Sequence, residues 1–227
     1  MRLDDATLRI IHILTSSFFP LLKAGLEFTV PLAVISFVLG LILALLTALA
    51  RISNIKPLVL IAKFYVFIVR GTPLLVQLFI IFYGLPAAGI TIGALTSAII
   101  GFTLSVGAYN SEIIRASILS TNKGQWEAAY SIGMSDNQAL RRIILPQAAR
   151  VAIPALANSF ISLVKDTSLA ATITVTELFQ VAQTITAATY EPLYLYTEAA
   201  FIYLIFCAVL SLFQQKLEKR LERSVAM

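Results

Sequence analysis

Long apolar runs alternate with short polar intervals along the chain, and this pattern predicts a bundle of membrane-crossing helices. A helix needs ~20 apolar residues to cross a bilayer. Residues 1–24 are predicted to form an amphipathic helix at the membrane surface. The predicted fold is all-α and polytopic, and residues 1–227 are predicted to form a single transmembrane domain. The five predicted spans cover about 26–50, 73–83, 94–114, 152–173 and 193–213, with an oblique or interfacial segment at 58–69.

The distribution of charge predicts the orientation of these spans. Lys and Arg are typical of cytoplasmic loops, and here they follow the first span and fill the polar interval 115–150. The interval 176–192 contains two glutamates but no Lys or Arg, which is typical of an outer loop. These observations predict an outer N-terminus and a cytoplasmic tail at about 214–227. Three cations argue against the outer N-terminus: Arg2, Arg9 and Lys23.

A polar interruption divides the apolar segment 58–85. It consists of Arg70, Gly71, Thr72 and Pro73. At 1.5 Å per residue the whole segment is too long for one straight crossing. Because proline suits the first turn of a helix, the pattern predicts a break near Gly71 and a new helix after it.

Composition supports a membrane protein and excludes several other classes. Apolar residues make up 59% of the chain and charged residues 13%, with a mean hydropathy of +0.88, whereas soluble domains carry ~25% charged residues. The net charge of +5 requires no nucleic-acid partner, because no basic patch is interleaved with aromatic residues. With only Cys207 and His12, we expect neither a disulfide framework nor a transition-metal site. The N-terminal sequence also lacks the pattern of a cleavable signal peptide.

The interval 115–150 contains a predicted helix–glycine–helix element. Its first helix has apolar and aromatic residues at helical spacing, and Gly133 provides a stop that tolerates a left-handed backbone. Ser135 is positioned to cap a second helix, which Pro146 is predicted to end or kink. The first stripe consists of Trp126, Ala129, Tyr130 and Ile132, and the second of Leu140, Ile143 and Ile144.

Charged residues inside the fourth predicted span are the main candidates for a transport path. Lys165 lies eleven residues after Pro154, about 16 Å along a helix, where an ammonium group costs at least ~2.5 kcal/mol. One interpretation is that Lys165 and Asp166 line a hydrated path or gate; the other is an internal ion pair that fixes helix packing. Glu112, Glu198 and the carbonyls of a broken helix are candidate partners. Polar neighbours with the same two interpretations are Gln77, Asn158, Ser159 and Ser162.

Local spacing predicts three further contacts. Glu112 and Arg115 are three residues apart and can pair along a helix. Thr176 and Glu177 are placed to cap a short amphipathic helix. Small residues in the third span allow close helix packing, namely Gly101, Ser105, Gly107 and Ala108.

Three motifs, in this order and spacing, resemble the permeases of ABC importers for polar amino acids. They are Arg70–Leu74, Lys123–Ala129 with Gly133 and the later Ile144-Leu145-Pro146, and Asn158–Ala170. Within that family, the segment from Ser159 to Ala170 is most similar to permeases for L-cystine. Relatives for basic amino acids often have a carboxylate where this chain has Ser159, so the resemblance favours a substrate without excess positive charge.

The resemblance implies a type I importer in a bacterial cytoplasmic membrane. Two permease copies would form the pore, an extracytoplasmic protein would deliver substrate, and separate ATPase subunits would bind ATP and Mg²⁺. The chain has no Walker loop, so it is expected to bind no cofactor and to have no catalytic residue. Trp126 and Tyr130 would be the anchors in the ATPase groove. The implied coupling residues are Gly124, Trp126, Glu127, Ala128, Ala129, Tyr130, Gly133, Leu145 and Pro146.

Three alternatives stay open at this point. The polar loop is also compatible with a surface loop that packs only on its own helices. An ion-coupled secondary transporter would equally use broken helices and a membrane-buried Lys–Asp pair, although it would not require the glycine-centred loop. An intramembrane enzyme is disfavoured because no motif places a nucleophile beside a base.

Overall fold

The computed structural model describes residues 5–223, which form helices joined by short turns, without a β-strand in that range. Arg2 and tail residues 224–227, which entered the predictions above, lie outside the described residues. The α-helices are α1 (Asp5–Ala24), α2 (Val30–Ile52), α3 (Lys56–Gly71), α4 (Leu74–Phe79), α5 (Ala94–Leu119), α6 (Lys123–Ser131), α7 (Asp136–Ala139), α8 (Leu145–Asp166), α9 (Leu178–Thr189) and α10 (Pro192–Arg223). Wider π-helical turns occur at Gly25–Thr29, Ile80–Gly84 and Leu140–Ile144, and tighter 3₁₀ turns at Leu85–Ala88 and Thr167–Ile173.

The all-helical membrane fold predicted from the sequence is confirmed. Among the described residues, three helical stretches are long and apolar enough to cross a membrane: Thr7–Ile52, Asp136–Ile173 and Pro192–Arg220. A fourth span results if α3 and the helical segment Leu74–Ala88 are counted as one broken crossing. The predicted span at 94–114 lies within α5, a helix of 26 residues, but α5 is not one of these stretches, so a fifth span stays a prediction. The orientation of the termini stays a prediction.

The N-terminal amphipathic segment and the first span form one continuous helical stretch. The expected boundary near residue 25 appears as the π-helical turn Gly25–Thr29, which joins α1 to α2. A Cβ atom at Gly25 would lie 2.6 Å from the ring of Phe206. Only glycine therefore allows the backbone to approach α10 this closely.

The predicted break at Arg70–Pro73 is confirmed. Helix α3 ends at Gly71, Thr72 adopts an extended backbone, and α4 begins at Leu74. The axes on either side of this break are bent by 104°. The bend follows from Pro73, because its ring disfavours a helical conformation at the residue before it.

The first of two compact units takes its described residues from Met1–Ser36, Leu75–Gly101 and Ile161–Ser211. Its core forms where α1 packs against α9 and α10. Leu21, Leu178 and Ile202 are fully buried there, and Phe206 packs against them. Gly101 also packs closely in this unit, because a Cβ atom there would lie 2.6 Å from Leu78.

The second unit takes its described residues from Phe37–Leu74, Phe102–Phe160 and Leu212–Met227. The backbones of α2 and α5 lie close together here. A Cβ atom added at Gly40 would overlap the side chain of Val106, and one added at Gly107 would lie 2.8 Å from Leu43. The prediction that Gly107 allows close packing is therefore confirmed. A second cluster of Ile118, Ile144 and Ala148 joins α5 to the start of α8.

Two prolines lie inside helical segments that they were predicted to begin or end. Of the two outcomes predicted for Pro146, an end or a kink, the end is wrong, because α7 continues through the π-helical turn Leu140–Ile144 into α8. The wider turn accommodates the missing N–H of the proline, which cannot donate to the preceding turn. Pro154 lies well inside α8, because that helix begins at Leu145 and the predicted span began only at residue 152.

Candidate functional site

The predicted helix–glycine–helix element is present, and we call residues 122–139 the knob. Asn122 caps α6 by accepting a hydrogen bond from the N–H of Gly124 at 2.8 Å. At the other end, Gly133 has a φ of +79°. Its N–H donates to Tyr130 O at 2.9 Å, while the N–H of Met134 donates to Ala129 O at 3.1 Å. This pair of bonds is the Schellman ending that glycine favours.

The second helix of the knob begins with the predicted cap. Gln138 N–H donates to Ser135 Oγ at 3.4 Å, and Ser135 N–H donates to Gln138 Oε1 at 3.0 Å. This reciprocal arrangement is a capping box, which satisfies two donors at the start of α7. Local chemistry therefore defines both ends of the turn between α6 and α7.

The knob has an inner face and an exposed face. Trp126 packs against the cluster of Ile118, Ile144 and Ala148, and Ala129 is 3% exposed. Tyr130 is 45% exposed and Ile132 is 72% exposed. Trp126 is half-buried and shares the inner face with Ala129, three residues later; its role as an anchor in a partner's groove stays a prediction. The other predicted coupling residues are exposed, except the half-buried Leu145: Gly124, Glu127, Ala128, Tyr130, Gly133 and Pro146.

The knob is attached to the start of α8 by a side-chain contact. Gln147 Nε2 donates to Gln125 Oε1 at 3.0 Å and to Ile143 O at 3.1 Å. Together with the inner face of α6, this contact fixes the first helix of the knob to the helix that leads into the membrane.

Lys165 and Asp166 lie at the end of α8, where the helix tightens into the 3₁₀ turn Thr167–Ile173. Both side chains are exposed on the surface of the described chain. Lys165 lies in the last helical turn, where a cation interacts favourably with the helix dipole. Glu198, one of its predicted partners, accepts a hydrogen bond from Ser17 Oγ.

Lys165 lines a cavity of about 540 Å³ in the first unit. The walls are mostly apolar and aromatic, and the rings of Phe179 and Tyr196 lie 5.5 Å apart. Tyr203, Ser168 and Cys207 complete much of the lining. An ammonium group at the edge of an aromatic cavity can bind a carboxylate while the rings contact apolar atoms.

The remaining predicted path residues are distributed over two helices. Gln77 lies on α4 and is half-buried. Helix α8 carries Asn158, Ser159 and Ser162, of which Asn158 is exposed and the two serines are half-buried. Their contact with a substrate stays a prediction.

Glu112 forms a charged cluster that local spacing only partly predicted. Its Oε2 atom accepts hydrogen bonds from Arg115 Nε at 3.1 Å and Nη2 at 2.9 Å, which confirms the predicted pair. Its Oε1 atom forms an ion pair with Arg51 and lies 3.8 Å from Arg70 Nη1. Arg51 and Arg70 are 61 and 42 residues from Glu112, so helical spacing gave no signal for these contacts.

Glu177 is a buried carboxylate at the start of α9. It caps that helix by accepting from Gln180 N–H at 2.8 Å. It also accepts from Tyr203 Oη at 2.6 Å and from Thr29 Oγ1 at 3.3 Å. Burial raises the pKa of this carboxyl above its usual 4.5, although the hydrogen bond from Tyr203 opposes the shift. The cap was predicted, whereas the links to the first span and to α10 were not.

The C-terminal end of α9 is also held by α1. Arg9 Nη2 donates to Thr189 O at 3.1 Å, and the same guanidinium lies 3.9 Å from Glu191 Oε1. Tyr190 between these residues has a φ of +61° and is 85% exposed. Helix α9 is thus attached at both ends.

Comparison with known proteins places this arrangement among membrane transport subunits. Residues 36–223 match the family described as the binding-protein-dependent transport system inner membrane component. The L-cystine transport system permease protein TcyB of Bacillus subtilis is 58% identical over 211 residues, which is 92% of this chain and 90% of that protein. The L-cystine permease TcyL of the same organism is 42% identical over 214 residues, 91% of this chain and 90% of that protein.

A solved structure has the same fold over nearly the whole chain. It is described as an amino acid ABC transporter with histidines, and it is 35% identical in sequence. The superposition covers 97% of this chain and 100% of the other, with a TM-score of 0.86.

Proposed function

This chain belongs to the family of inner membrane components of binding-protein-dependent transport systems, and we propose that it is the pore-forming subunit of an ATP-driven amino acid importer. It is a multi-pass protein of the bacterial cytoplasmic membrane. The exposed face of the knob is the observation that carries the proposal. A turn capped at both helix ends, with Glu127, Tyr130 and Ile132 exposed, offers a partner both charge and apolar contact.

We propose L-cystine as the transported amino acid. The support is the 58% identity to the L-cystine permease TcyB over nine-tenths of both chains. The neutral side chain at Ser159 is compatible with a substrate that carries no net charge. Other polar amino acids are the competing substrates.

The proposed partners follow from the family and from the knob. An extracytoplasmic binding protein delivers the amino acid, a separate ATPase binds ATP and Mg²⁺, and a second copy of this chain completes the pore. In this mechanism, closure of the ATPase moves the knob as a rigid body, and the attached start of α8 moves with it. Nucleotide thereby shifts the population between two pore conformations.

The proposal is tested by uptake into proteoliposomes that contain this protein, the cognate ATPase and the binding protein. Radiolabelled cystine, glutamine and arginine are offered separately, with and without ATP. We expect ATP-dependent uptake with a preference for cystine. Uptake driven by a proton or sodium gradient without the ATPase would identify a secondary transporter and contradict the proposal.

Lys165 is predicted to contact the substrate carboxylate during transport. Replacing it with glutamine removes a charge-assisted hydrogen bond worth ~1.5–3 kcal/mol, so uptake should fall by about 10- to 100-fold. Lys165→Arg retains the charge and should keep most of the uptake. The matched control is Lys216→Gln, which removes an exposed cation from the C-terminal part of α10. Equal uptake by Lys165→Gln and the control would contradict this role.

A further inference from the structure

The cluster around Glu112 contains more positive than negative charge. We call Arg51, Arg70, Glu112 and Arg115 the arginine cluster. Both carboxylate oxygens of Glu112 already interact with guanidinium groups, Oε2 with Arg115 and Oε1 with Arg51 and Arg70. One carboxylate therefore faces three cations, which leaves a net charge of +2 within the described part of the cluster.

This excess charge lies in a partly buried position. The side chains of Arg51 and Arg115 are 15% and 30% exposed, whereas that of Arg70 is 42% exposed. Arg51 Nε is shielded from solvent and has no hydrogen-bond acceptor among the described residues. Burying a charge is costly unless it is paired and hydrogen-bonded. The cluster therefore favours the binding of an additional anion.

Arg70 provides the accessible side of the cluster. Its ion-pair distance to Glu112 is 3.8 Å, which is longer than a hydrogen bond. Its guanidinium lies over the ring of Tyr109 at 5.2 Å, and Tyr109 is 47% exposed. A guanidinium over an aromatic ring can still present its N–H groups to a phosphate in two-point geometry.

Helix α3 presents an apolar surface next to Arg70. Leu60, Ile61, Phe64 and Phe67 are each more than 60% exposed. Their spacing of one, four and seven residues from Leu60 places them on one face of the helix. Lys56, Lys63 and Arg70 are seven residues apart and therefore form a basic row along one edge of that face. An apolar face with a basic edge is typical of a helix that lies in the membrane interface.

We propose that the arginine cluster binds the phosphate of an anionic phospholipid, with its acyl chains along the apolar face of α3. Basic sites between transmembrane helices on the cytoplasmic side bind the headgroups of such lipids. The positive charge of the cluster is complementary to the negative phosphate, and the exposed apolar side chains of α3 are complementary to the acyl chains of the lipid. An acidic protein segment would match the charge but would leave the apolar face uncovered.

The test measures lipid retention by the purified full-length protein in detergent with native mass spectrometry. Dioleoyl phosphatidylglycerol and dioleoyl phosphatidylcholine are titrated separately. We expect the wild type to retain phosphatidylglycerol preferentially, and Arg70→Gln to bind it about five-fold more weakly. Arg70→Lys keeps the charge and should lose less. Lys219→Gln, which removes an exposed cation from α10, is the matched control and should retain the lipid as the wild type does.

Glu112→Gln, which removes the one carboxylate of the cluster, is expected to change lipid retention in the direction opposite to Arg70→Gln. Retention of phosphatidylglycerol should increase if the cluster binds phosphate, whereas a purely structural role predicts a decrease. Equal retention of both lipids by the wild type would overturn the proposal. So would loss of the Arg70-dependent retention in millimolar inorganic phosphate, which would assign the cluster to a free anion.

A separate measurement distinguishes a protein from a lipid as the partner of the arginine cluster. If Arg70→Gln retained phosphatidylglycerol normally but no longer co-eluted with the ATPase, the cluster would be a protein-docking site and the lipid proposal would fail. The lipid measurement uses neither ATP nor substrate. Its outcome is therefore independent of the proposed transport function.

Discussion

Gly133→Pro should abolish ATP-driven uptake while the membrane-spanning part of the protein stays folded. Proline requires a φ near −65°, whereas Gly133 has a φ of +79°. The substitution also removes the N–H that donates to Tyr130 O. We estimate a local cost of about 3 kcal/mol, or about a hundred-fold loss of the native turn. The exposed face of α6 would then no longer be held in position for a partner.

Gly133→Asn is the matched control for this prediction. Asparagine tolerates the left-handed region better than other side chains and retains the N–H, and nothing lies within 4 Å of a Cβ atom at Gly133. Uptake by this variant should stay within a few-fold of the wild type. Cystine uptake and ATP hydrolysis are measured in the same proteoliposomes, after size-exclusion chromatography has shown that each variant is folded. Full transport by Gly133→Pro would show that the knob does not couple the ATPase to the pore.

Glu177→Ala should cause a large loss of stability. The substitution removes the cap of α9, which contributes about 1 kcal/mol. It also leaves the hydroxyl groups of Tyr203 and Thr29 without their buried acceptor, at about 1–3 kcal/mol each. We expect a total cost of about 3 kcal/mol after partial relaxation, and a fall of about 10 °C in the midpoint of thermal unfolding in detergent.

The source of this loss can be resolved with Glu177→Gln and Tyr203→Phe. Glutamine retains one acceptor oxygen and should lose less stability than alanine. If the hydrogen bond between Glu177 and Tyr203 carries much of the effect, Glu177→Ala and Tyr203→Phe should be non-additive when combined. Additive losses would show that Glu177 acts through the cap and Thr29 and not through Tyr203.

The pH dependence of stability provides a further readout of Glu177. Because burial raises the pKa of its carboxyl above 4.5, the folded state binds a proton more tightly than the unfolded state. The contribution of the protonated Glu177 carboxyl to the stability of the folded state is therefore fully present below pH 4.5 and is lost as the pH rises through the raised pKa. Glu177→Gln should lack this change over the same pH range.

Features that depend on neighbouring residues were predicted correctly from the sequence. The stop at Gly133, the cap at Ser135 and the break at Gly71 each follow from the backbone preference of one or two residues. The cap at Glu177 belongs to the same group. In each case the determining contact lies within a few residues along the chain, so no knowledge of packing was needed.

Features that depend on which side of a helix meets another helix were predicted less well. The spacing of Trp126 indicated an amphipathic helix, but it did not show that the ring packs on its own chain. Pro146 was expected to end or kink a helix, and the helix continues because the π-helical turn before the proline absorbs the missing hydrogen bond. The contacts of Glu112 with Arg51 and Arg70 join helices distant in sequence, and no local pattern marks them.

The glycine contacts between α2 and α5 restrict how the protein can change shape. Side chains at Gly40 or Gly107 would overlap Val106 or Leu43, so the two backbones fit together without the layer of side chains over which helices usually slide. Shear motion needs such a layer, because closely packed surfaces have discrete rather than continuous arrangements. Helices α2 and α5 should therefore move as one body during transport, and the bending should occur at hinges elsewhere in the chain.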